Sequence, residues 1–176
     1  MKRIILFFLL FTVSEVYGQN EFAAAAFYTD FKNIYEDAQA GFINYRGDKR
    51  KSEFEELASE YKVKLLLPLA DSGKIVFPVS GSNPYVVYFF ESDKVRLKVD
   101  QRATNLRDAI LTVFDKPLYA RTETSIINNQ PFTNSWYFTD PAETRSAFAA
   151  FRMNIYFNEG KFYLAFEIRG KLSESH

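Results

Sequence analysis

Nineteen Phe, eleven Tyr and one Trp stand in a chain of 176 residues that has no cysteine. That combination decides how the chain can be held together. No disulfide can restrain it, so its stability must come from packing. The material for packing is ample, because each ring can remove about 150–250 Å² from water. The chain is 47% hydrophobic and 25% charged, the balance of a folded globular protein.

The first residues carry an address. Met1-Lys2-Arg3 is a short cationic start, and residues 4–13, IILFFLLFTV, are ten apolar residues in a row. A membrane-spanning helix needs about 20. The run is followed by Val16-Tyr17-Gly18, which suits cleavage before Gln19. Residues 1–18 are therefore expected to be a signal peptide that is removed. The mature chain is expected to be periplasmic or secreted, and not membrane-spanning. It would consist of one α+β domain over 19–170 and a flexible tail over 171–176. A division into two subdomains near Asp115-Lys116-Pro117 stays open.

Hydrophobic periodicity gives the elements. Phe27, Phe31, Ile34, Ala38, Phe42 and Tyr45 recur at helical steps and predict a long helix over 22–45, stopped by Gly47. Asp30, Lys32, Asn33, Asp37 and Gln39 fall on its other faces. Ser52 with Glu55 reads as a capping box that opens a short helix carrying Phe54, Leu57, Ala58 and Tyr61. Strands are expected over 63–69, 74–79 and 85–91. Residues 94–100 alternate cleanly, with Val95, Leu97 and Val99 opposite Lys94, Arg96, Lys98 and Asp100, and predict another strand. Thr104 opens a helix with Leu106, Ala109, Ile110 and Val113 inside, ended by Pro117. Strands over 118–128 and 132–138 flank an Asn-rich turn. Asp140-Pro141-Ala142-Glu143 predicts a helix to about Ala150. A last hairpin joins 152–157 to 161–169 through Asn158-Glu159-Gly160. The fold expected is a mostly antiparallel, curved sheet of about eight strands, with the long N-terminal helix on one face and two or three shorter helices. No internal repeat is strong enough to name.

The composition removes many chemistries. Lys+Arg and Asp+Glu both number 22, so bulk charge gives no reason to bind nucleic acid. Without cysteine, and with the single histidine at position 176, thiolate catalysis, Ser-His-Asp catalysis and Cys/His metal sites lose their residues. No cofactor, metal site or catalytic residue is assigned. Ser59 with Lys62 has Ser-Lys spacing but lacks companion motifs, and Arg46-Gly47-Asp48 is explained as a helix end. Paired carboxylates remain available. The cluster Glu53, Glu55, Glu56 and Glu60 is explained by placement near a helix N-terminus.

Two stretches are candidate binding surfaces. Lys94, Arg96 and Lys98, followed by Arg102 and Arg107, form a basic row opposed only by Asp100. On a strand the first three would share a face, about 6–7 Å apart, and could meet an anionic envelope component or an acidic partner. Asn128, Asn129, Trp136 and Tyr137 bring carboxamides beside aromatic faces, a mixture suited to a glycan or a peptide. The function expected is that of an exported, non-enzymatic binding domain for a protein or an envelope component. The alternatives are a carboxylate-dependent polysaccharide hydrolase and a subunit or folding helper of an envelope assembly.

Overall fold

A computed structural model describes residues 20–52, 55–127, 129–143 and 145–172. The expected signal peptide over 1–18, Asn128 and His176 lie outside the described residues.

Among the described residues, two helices and eight strands follow in the order α1 (Ala25–Gln39), β1 (Arg46–Arg50), β2 (Ala58–Val63), β3 (Ala70–Pro78), β4 (Tyr85–Asp93), α2 (Arg96–Val113), β5 (Tyr119–Ile127), β6 (Gln130–Phe138), β7 (Phe151–Asn158) and β8 (Lys161–Arg169). The fold is α+β, as expected, with fewer helices. All eight strands form one open antiparallel sheet, in the spatial order β1-β2-β3-β4-β8-β7-β6-β5. The topology is palindromic. A helix and a four-strand meander (α1 with β1–β4) are followed by a second helix and a second meander (α2 with β5–β8). The two final strands, β4 and β8, meet at the centre, where Val87 faces Glu167 and Tyr88 faces Phe166. The repeat is one of topology. It leaves no repeat in the sequence because the two halves fill equivalent places with different residues.

Both helices pack over the central strands on one face of the sheet. α1 rests on β8, and α2 on β4, β7 and β8. Cross-strand partners share a face, so period-two alternation selects what the helices cover. Val86, Tyr88 and Phe90 from β4, Leu164, Phe166 and Ile168 from β8, and Phe151, Met153 and Ile155 from β7 are all buried in one core. Phe27, Phe31, Ile34 and Ala38 complete it from α1, as the helical period predicts. Phe31, Phe151 and Phe166 form a ring cluster with centroids 5.6–6.4 Å apart. Phe114 closes it with an edge on Phe151 at 5.0 Å.

Four expectations are corrected. The first helix stops at Gln39, not near 45. Gly41 (φ 82°) and Phe42 (φ 59°) turn the chain left-handed, and Asp37 holds the turn. The Asp37 carboxylate, only 3% exposed, accepts from the Asn44 and Tyr45 amides at 2.8 and 2.9 Å and from Asn44 Nδ2 at 3.0 Å. Arg46-Gly47-Asp48 therefore lies in edge strand β1 and does not end a helix. Second, the short helix expected from Ser52 is replaced among the described residues by a turn over 55–57 and then β2, with Glu53 and Phe54 outside the described residues. Tyr61 and Val63 face the core there, and Glu60 on the other face binds Lys74 Nζ at 2.6 Å. The strand expected at 63–69 is a connection past the buried Leu67. Ser59 and Lys62, three apart on a strand, point to opposite faces.

Third, 94–100 is not a strand. Asp93 Oδ1 accepts from the Val95 amide at 2.8 Å and turns the chain into α2. At helical pitch only Val99 of the alternating trio reaches the core: it is 1% exposed and Leu97 is 74% exposed. The sheet keeps its count of eight because β1 and β2 supply the strands that 63–69 and 94–100 do not. Fourth, Asp140-Pro141 opens a turn, with the Ala142 amide on Asp140 Oδ1 at 2.8 Å, and only the single 3-10 turn Ser146–Phe148 follows. Phe148 is exposed, so no apolar stripe holds a longer helix against the sheet.

Burial predicts an alkaline limit to stability. Tyr35, Tyr85, Tyr88, Tyr137 and Tyr156 are all held above the ordinary tyrosine value, chiefly by burial, which disfavours the phenolate. Above pH about 10 the unfolded chain sheds protons that the folded chain keeps, so stability falls as pH rises through that range. Thermal melts should be flat across neutral pH and drop above pH about 10, with phenolate absorbance from these groups appearing only on unfolding. Full ionisation near pH 10 with an unchanged melt would contradict this packing.

Candidate functional site

The basic row is dispersed by the helix. Successive helical residues step by about 100°, so Arg96 and Lys98 point to different sides of α2, and Lys94 precedes the helix. Lys98 Nζ sits 3.2 Å from Asp93 Oδ2, and Asp93 is held below the usual carboxylate range by the Val95 amide and the Lys98 ammonium. Arg102 binds Glu21 Oε1 at 3.1 Å and the Glu91 carbonyl at 2.9 Å. Arg107 folds back on Asp108 at 2.8 Å. Lys94 is exposed just before α2. Opposed charges leave no continuous cationic surface here.

The carboxamide and aromatic stretch is also divided. Ile127 pairs with Gln130 across a two-residue hairpin loop, and Asn129 takes φ 60° there, the conformation that such loops require. Trp136 and Tyr137 are neighbours on β6 and point to opposite faces. Trp136 lies on the face away from the helices, beneath the Arg121 guanidinium at 4.6 Å, and clusters with Phe138 and Ala149. Its indole nitrogen is enclosed. On the same face the buried Glu167 takes an ion pair from Arg152 and a 3.4 Å hydrogen bond from Asn154 Nδ2.

Tyr137 faces the helices, and there the structure opens a cleft. α2 packs closely on the sheet only as far as β7, so a gap opens between α2 and the inner faces of β5 and β6, bridged by Arg96 on Thr133. The space between holds about 250 Å³ and is bordered by Asp100, Thr104 and Arg107 from α2, Thr122 from β5, and Thr133 and Ser135 from β6. Tyr137, Met153 and Ile155 form its inner end. The hydroxyls are paired across the strands, Thr122 with Ser135 at 2.9 Å and Thr124 with Thr133 at 3.2 Å. Arg96 closes one end: Nη2 donates to Thr133 Oγ1 at 2.9 Å, Nε donates to Asp100 Oδ1 at 2.8 Å, and the guanidinium stacks over Phe162 at 5.5 Å. The Tyr137 hydroxyl lies 3.9 Å from the Met153 thioether, a weak acceptor, and beside the Ser135 hydroxyl, and burial pushes its phenol up.

Of the residues singled out in the sequence, the cleft brings together Arg96, Arg107 and Tyr137. The hydroxyl ladder was missed. Its signal is present: Thr122 and Thr124, then Thr133 and Ser135, hold alternate inward positions where a covered strand would carry apolar residues. Among the described residues no group of three or more metal-ligating side chains gathers, and no helix is long and apolar enough to cross a membrane. No family model matches the chain, and neither a curated protein nor a solved structure is significantly similar to it.

The helical reading of the row is directly testable. Arg96→Met removes a charged donor to Asp100 and Thr133 and should cost roughly 1–2 kcal/mol in urea unfolding. Lys94→Met should stay within about 0.5 kcal/mol of the parent. Equal effects would match a flat basic strand face and contradict α2.

Proposed function

We propose that the chain is an exported, non-enzymatic binding domain, and that its ligand is a short hydroxyl-bearing segment, a glycan of the cell envelope, held in the cleft beneath α2. One observation carries the reading: the hydroxyls of Thr104, Thr122, Thr133 and Ser135 converge with Arg107 and Asp100 on one open space. Hydroxyls donate and accept, so they match a sugar's own groups in either direction. Met153 and Ile155 offer apolar surface to a ring's C–H face.

Binding suits this lining better than hydrolysis. A glycosidase needs two carboxylates about 5–9.5 Å apart across the substrate. Among the described residues the cleft presents Asp100, which is already bound to Arg96. An anionic envelope polymer is a weaker match, because Arg96, Lys98, Arg102 and Arg107 each face a carboxylate. Export rests on the cationic start and the ten apolar residues that follow it.

The test is a titration of the full chain, followed by amide chemical shifts, with a panel of soluble envelope oligosaccharides. Shifts should concentrate on 100–107, 120–124 and 133–137. Arg107→Ala or Ser135→Ala should weaken binding about tenfold, the effect of losing one good hydrogen bond. Lys49→Ala, at the far edge of the sheet, should leave it unchanged. Shifts confined to other surfaces, or cleavage of the oligosaccharide, would refute the proposal.

A further inference from the structure

The two edges of the sheet differ. β1 is five residues long with four charges, Arg46, Asp48, Lys49 and Arg50, and its register slips between Arg46 and Lys49. Charge and irregularity of this kind deter edge pairing. β5 carries no such protection. It keeps unbroken register with β6 over nine residue pairs, from Tyr119↔Phe138 to Ile127↔Gln130. Its outer edge pairs with no strand among the described residues. Between positions 119 and 127 it has no proline, its only charges are Arg121 and Glu123, which pair along the strand at 3.3 Å and would form a four-charge group with their copies, and Ile126 is 68% exposed.

We infer that two copies of the chain join through β5, edge to edge and antiparallel about Thr122. The order of charges selects the occupant and the register. Strands related by a two-fold axis must place one residue opposite its own copy. Centring on Arg121 opposes two arginines, and centring on Glu123 opposes two glutamates. Centring on Thr122 puts each Arg121 opposite the other copy's Glu123, and each Ile126 opposite the other copy's Leu118. Opposite charges facing across an antiparallel pair stabilise it, whereas like charges destabilise it. The joined sheet would have sixteen strands, and the two hydroxyl clefts, each bordered by Thr122, would lie side by side across the axis.

The absence of native cysteine makes the test clean. The mass of the full chain in solution should be that of a dimer. Arg121→Glu, or separately Glu123→Arg, should give monomers, and the double exchange Arg121→Glu/Glu123→Arg should restore the dimer. Thr122→Cys, which alters no charge, should form a covalent dimer on mild oxidation. Lys49→Cys on the other edge should not. Circular dichroism checks that each variant is folded. A monomeric parent that Thr122→Cys fails to trap would overturn the inference. So would a dimer that survives either single reversal, or equal trapping from both edges.

Discussion

The pairing of β4 with β8 is the contact on which the rest of the structure depends. These are the last strands of two successive meanders, and nothing joins them except their own ladder and the rings packed above it. Once Val86, Tyr88 and Phe90 lie beside Leu164, Phe166 and Ile168, the inner face of the central strands is apolar throughout. Both helices are drawn there, since burying apolar surface is the largest favourable contribution to folding. α1 brings Phe27, Phe31 and Ile34, and α2 brings Val99, Leu106 and Ile110. A chain without disulfides needs one such continuous aromatic layer, and the centre of this sheet provides it.

The same arrangement explains the cleft. Two helices cover the middle of an eight-strand sheet but not its full width. At the β1–β2 end, Tyr61 and Phe77 shelter under the Arg46 guanidinium, 5.3 and 5.2 Å away. At the β5–β6 end the inner face changes character, and threonine and serine replace the apolar residues. Two covered strands bearing four hydroxyls between them would leave polar groups in the core. Here they open onto solvent beside Arg107 and Asp100. Close approach elsewhere is managed by glycine. A Cβ on Gly170 would lie 2.6 Å from Phe42 and 2.7 Å from the Ala38 carbonyl, where the end of β8 passes beneath the end of α1.

How much of this could be read in the sequence varied with how much local and tertiary preferences agreed. The last hairpin and the β5–β6 pair were legible, because alternation, turn residues and burial all point the same way. The core face of α1 was legible from Phe27 to Ala38, but its end was not. The stop is set by Gly41 and by a buried Asp37, and a carboxylate in a helical pattern reads as solvent-facing. Residues 94–100 misled because Val95, Leu97 and Val99 fit a strand perfectly well. The competing helical series Val99, Ala103, Leu106, Ile110 and Val113 is longer, and the sheet core supplies what it packs on. Of the site, Arg96 and Arg107 were singled out for a strand face that does not exist, and Tyr137 as part of a carboxamide and aromatic surface that the alternation of β6 divides. Thr122, Thr133 and Ser135 were not, since hydroxyls on a strand carry meaning only once it is known which face the helices leave open.

The central claim is that the two meanders meet at β4 and β8 beneath both helices. A nuclear Overhauser spectrum of the protein in solution tests it most directly. The account predicts cross-strand backbone contacts linking Val86, Tyr88 and Phe90 to Ile168, Phe166 and Leu164, together with ring contacts from Phe31 to Phe166. Contacts from β4 to any strand of the second meander other than β8, or none between the two meanders, would contradict it.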